Sequence, residues 1–129
     1  MSRTAARAYS DVDQVSASGR QLEASALFRV ARALQQAQDQ WGTEDGEARM
    51  DEALKLNQRL WTFFQAELSA PDNPIAPEIK FNLLQLIRFI DQRTFEVIAF
   101  PAPEKLTALI NINRNIAAGL AAQPAGAAA

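Results

Sequence analysis

Apolar residues recur three and four positions apart over most of the chain, which is the period of a helix packed on one face. Strict alternation and two-residue hairpin turns are both missing, so no strand is expected. From about Arg20 to Gln40, Leu27, Val30, Leu34, Ala37 and Trp41 fall on one stripe, with Ser18 as the expected N-cap and Gly42 as the stop. A second helix is expected from about Glu47 to Ser69. Met50, Leu54, Trp61, Phe64 and Leu68 form its stripe, and Leu56, Leu60 and Phe63 fall on an adjacent face. Pro71, Pro74 and Pro77 break the pattern, and Pro77 suits the first position of the next helix, to about Ala99. Its main stripe is Ile79, Leu83, Leu86, Ile87, Ile90 and Val97, while Phe81, Leu84 and Phe95 lie on the far side beside Arg88. Pro103 opens a last helix striped by Leu106, Leu109, Ile110, Asn113, Ile116, Ala117 and Leu120. A short helix from Arg3 to about Ser16, with a thin face of Ala6, Tyr9 and Val12 or Val15, is expected to fray unless it docks.

Short connections make sequential helices antiparallel neighbours. The sequence therefore predicts an all-α fold, a compact bundle of four to five antiparallel helices. It reads as one domain over residues 1–120, with a disordered alanine-rich tail at 121–129.

Composition then narrows the chemistry. There is no cysteine and no histidine among the 129 residues. This excludes disulfides, thiol catalysis, most zinc sites, haem attachment and any histidine-based triad. Thirteen basic and fifteen acidic side chains give a net charge of −2, which argues against bare nucleic acid or an anionic membrane as the partner. The most apolar stretch, Ile79 to Phe100, contains Lys80, Arg88, Asp91, Arg93 and Glu96. Each charge costs about 2.5–3.5 kcal/mol near the centre of a membrane helix, so no span is expected there. The first residues carry positive charge but no following apolar run, so no secretory signal is expected either. The acidic run Glu44 to Glu52 lacks the ligand spacing of a calcium loop and suits a solvated helix start. The five glycines are scattered, so no phosphate-cradling loop forms. No enzyme, metal site or cofactor is expected.

Two features remain. Asn57 and Asn113 interrupt apolar stripes, either to fix register inside the bundle or to hydrogen-bond a bound helix. The second faces of two helices carry Leu56, Leu60, Phe63, Phe81, Leu84 and Phe95. They are buried at a central position of the bundle, or they form a groove that accepts an amphipathic helix.

The runs Asp51-Glu-Ala-Leu-Lys-Leu-Asn57-Gln-Arg-Leu-Trp61-Thr-Phe-Phe-Gln and Ile110-Asn-Ile-Asn113-Arg-Asn-Ile-Ala-Ala-Gly119-Leu carry a resemblance. With Pro71-Asp-Asn-Pro74, Asn82-Leu-Leu and Asp91-Gln-Arg-Thr in the same order, the chain resembles the FlaF family of flagellar biosynthesis regulators from about residue 20 to 120. The resemblance implies a cytoplasmic protein of flagellated alphaproteobacteria, needed for flagellin production and export. It implies flagellin as partner and a secretion-chaperone role alongside a regulator of flagellin translation. Direct action on flagellin mRNA is the alternative, and self-association through the same faces is a third reading. The expected partner-binding residues are Leu56, Asn57, Leu60, Trp61, Phe63, Phe81, Leu84, Arg88, Phe95 and Asn113; no catalytic residue is implied.

Overall fold

The computed structural model describes the backbone of residues 3–122 and the side chains of residues 19–122. Four α-helices follow one another: α1 (Arg3–Asp39), α2 (Gly46–Ser69), α3 (Pro77–Ala99) and α4 (Thr107–Ala122). A single 3-10 turn, Pro103–Leu106, precedes α4, and no strand occurs among the described residues. The all-α bundle is as expected.

Two boundaries differ from the sequence reading. The segments expected as separate helices before and after Ser18 are one continuous helix, and residue 18 lies inside it rather than capping it. Gly19, the one weak point there, costs about 1 kcal/mol relative to alanine but does not break a helix. The side chains of the thin N-terminal face lie outside the described residues, as do residues 123–129 of the alanine-rich tail. Ala121 and Ala122 belong to α4 rather than to that tail.

Proline and glycine set the corners. Gly42 closes α1 with φ +91°, a left-handed conformation that favours glycine. Gly46 begins α2 where a β-carbon would meet the Gln40 carbonyl oxygen at 2.8 Å, so the turn closes only on a residue without a side chain. After α2, Asn73 accepts from the Ile75 amide (3.0 Å) and donates to the Glu67 carbonyl (3.0 Å), which satisfies a carbonyl at the end of the helix. Gln38 near the end of α1 donates to the Pro103 carbonyl and the Thr107 hydroxyl, both at 2.9 Å, and ties α1 to the start of α4.

The core is made chiefly by α1 against α4 and α2. Leu27, Leu34, Leu106, Leu109 and Ile110 are enclosed there with Met50, Leu54 and Trp61. Alanines 24, 31 and 37 on the buried face of α1 let its neighbours approach closely. Helix α3 is the peripheral member. It packs mainly on α2 and buries only Ile87, Ile90, Val97 and Thr94. Ile79, expected on its core stripe, is instead exposed, as are Pro77 and Glu78 in the same first turn.

Candidate functional site

The ten expected partner-binding residues divide into three places. Asn57, Trp61 and Asn113 are enclosed, not on the surface. The Trp61 indole Nε1–H donates to Asn113 Oδ1 (2.9 Å), and Asn113 Nδ2 donates to Asn57 Oδ1 (2.7 Å). The chain of bonds joins α2 to α4 across 52 to 56 residues of sequence. Because all three side chains are enclosed, each bond is also a constraint, since sliding α4 past α2 would strand buried donors and acceptors. These residues answer the register reading, and no surface-bound helix can reach them without opening the core.

The second place is one edge of α2. At about 100° per residue, Leu56, Leu60 and Phe63 share a narrow sector. Leu60 is half-buried against the core, Leu56 is exposed and Phe63 is 54% exposed. The third place is the outward side of α3, where Phe81 is 61% and Phe95 76% exposed, with Arg88 beside them and Leu84 half-buried. Neither aromatic face is covered by a central position in the bundle.

The two faces do not merge into one groove. Lys55, Gln58, Arg59 and Thr62 line a depression together with Asp91 of α3. That polar strip lies about a third of the way round α2 from the Leu56–Phe63 edge. A partner that follows the α2 edge therefore meets charges before it meets α3.

The α2 edge leads instead to an apolar cleft. The Phe63 and Phe64 rings are 5.9 Å apart, and Phe64 stacks edge-on against Trp61 at 5.4 Å. Phe64 and Trp61 line a cleft of about 120 Å³ with Leu68, Ile75, Leu83, Ile116 and Leu120. A cavity near that size holds a benzene ring. Two carboxylates, Glu23 from α1 and Glu67 from α2, share its wall. Burial raises the pKa of Glu23 above the ordinary carboxylate range, helped by the charge of Glu67 and a hydrogen bond between the two side chains.

The sequence reading missed this cleft. Its walls come from all four helices and the 70–76 loop, and no single period displays it. Glu23 did carry a signal, since it falls among Ala24, Leu27 and Val30 on the buried side of α1. The exposed Leu22 of α1 and Ile98 of α3 were also missed.

A family model described as flagellar protein FlaF matches residues 5–120. No curated protein and no solved structure matches the chain. Among the described residues, no helix is long and apolar enough to cross a membrane.

Proposed function

The chain belongs to the FlaF family of flagellar proteins, and from that premise we propose that it binds flagellin in the cytoplasm as a secretion chaperone. Flagellin subunits pack their amphipathic terminal helices only on assembly, so those helices need cover beforehand. In this reading a flagellin helix lies along the α2 edge, on Leu56, Leu60 and Phe63, and places one large apolar side chain in the cleft beside Phe64. The observation that carries the reading is the half-exposed Phe63 ring, in contact with Phe64, at the approach to an apolar cleft. A protein with no use for that surface gains by covering or replacing it. The binding is stoichiometric masking, and no bond is made or broken.

The test is capture of purified flagellin by the wild-type protein and by two single variants, Phe63→Ser and Phe81→Ser, each checked for helicity. Phe63→Ser is expected to lose capture and Phe81→Ser to keep it. Wild-type capture by a folded Phe63→Ser overturns the placement on α2. Binding to flagellin mRNA instead, with affinity falling steeply as salt rises, overturns the chaperone reading itself.

A further inference from the structure

The apolar stripe on the open flank of α3 is longer than its aromatics suggest. Phe81, Leu84, Arg88, Asp91, Phe95 and Ile98 follow one another at alternating steps of three and four, which is the seam spacing of a coiled coil. Phe81, Phe95 and Ile98 are more than half exposed, and Arg88 and Asp91 are exposed in the middle. Among the described residues neither charge takes part in a hydrogen bond or an ion pair; the ion pair on this helix is Arg93 with Glu96 at 3.2 Å. The stripe runs along the flank of α3 next to α2: Leu84 is half-buried against the core, Asp91 shares a depression with Lys55, Gln58, Arg59 and Thr62, and Ile98 borders Met50 and Leu54, while Phe81, Arg88 and Phe95 form its open side.

The stripe also reads the same from both ends. About the midpoint between Phe89 and Ile90, Phe81 stands opposite Ile98, Leu84 opposite Phe95, and Arg88 opposite Asp91. A two-fold axis through that midpoint brings the same surface of two copies together, each residue meeting its counterpart across the axis. Every large apolar side chain then meets an apolar one, and each charge meets its opposite. A parallel pairing would instead set Arg88 against Arg88 and Asp91 against Asp91. An unrelated helix would have to carry Asp and Arg in the reversed order at the same spacing, which a second copy supplies without further condition.

We propose that two copies of this chain pair antiparallel through the open flank of α3, with reciprocal Arg88–Asp91 ion pairs at the centre of an apolar seam. The seam spans residues 81–98, about 27 Å of helix. Two heptads make a small interface, so the dimer is concentration-dependent rather than obligate. Gln85 and Gln92 flank the seam on its open side; Lys80, Ile87 and Thr94 flank it on the other, where Ile87 and Thr94 are buried in the bundle. The paired face is not the α2 edge, so this inference stands apart from the flagellin reading.

Sedimentation equilibrium of the full chain tests it. The wild type is expected to shift from monomer to dimer with concentration. Arg88→Asp sets four carboxylates at the centre and Asp91→Arg sets four guanidinium groups. Each variant alone is expected to dimerise at least ~10-fold more weakly. Mixed in equal amounts, the two variants are expected to recover the dimer, because each then meets its opposite charge across the axis. Both sites are exposed, and unchanged helicity of each variant confirms folding. A wild type that stays monomeric overturns the proposal, as does either variant dimerising like the wild type. A mixture no more dimeric than its components overturns the pairing of opposite charges at the centre of the seam. Asp91→Arg is expected to retain flagellin capture, so loss of the dimer and loss of the chaperone role read out separately.

Discussion

Asn113 is the residue whose removal the fold tolerates least for its size. It accepts from Trp61 and donates to Asn57, and all three are enclosed. Asn113→Leu keeps the volume but leaves a buried indole N–H and a buried amide oxygen unpaired, so it is expected to cost about 2–4 kcal/mol in urea unfolding with unchanged slope. Asn57→Leu strands only one donor and removes Asn57 Nδ2, which has no partner among the described residues; its cost is expected to be smaller, under about 2 kcal/mol. Glu23 is the titrating counterpart. Its folded pKa is raised by burial and by Glu67, so the folded state holds a proton that the unfolded chain has released. Stability therefore falls as pH climbs from the ordinary carboxylate range through that raised value. Glu23→Gln is expected to raise the melting temperature at neutral pH, with the gain vanishing in acid where Glu23 is protonated in both states. Sequence showed that Asn57 and Asn113 interrupt apolar stripes, but an asparagine facing a core and one facing a docked helix have the same period. Only the 2.7 Å bond between them decides.

At the scale of elements, α3 is where local pattern and tertiary placement part. Its bounds, Pro77 to Ala99, were legible because proline fixes both corners, and its two apolar faces were legible from spacing. Which face meets α2, and which side of α2 it meets, depends on the 70–76 loop and on Asn73, which no period records. Helix α1 gave the opposite lesson. Ser18 and Gly19 look like a boundary, yet a serine and a glycine inside a long helix weaken it without ending it. The consequence for α3 is measurable. It contributes few enclosed side chains and leans on one neighbour, so its amides are expected to exchange with solvent faster than the buried turns of α1 and α4. Mass-resolved hydrogen exchange checks this. Protection confined to α3 that grows with protein concentration would follow from pairing through its open flank.

For the whole molecule, the account is one of apolar surface left over after a small core is complete. The bundle closes around α1, α2 and α4, and the remainder is sorted to two sides of α2 with polar Lys55, Gln58, Arg59 and Thr62 between them. The sequence could show that surplus but not its division, because a helix period cannot place Arg59 and Asp91 on the same depression. One side, next to a cleft with two carboxylates, suits a client helix; the other suits a second copy. Calorimetric titration of purified flagellin into the protein at several temperatures tests the central claim most directly. The account predicts saturable binding with a negative heat-capacity change, abolished by Phe63→Ser and unaltered by Asp91→Arg. Absence of binding by the folded wild type, or an affinity indifferent to Phe63→Ser, would contradict it.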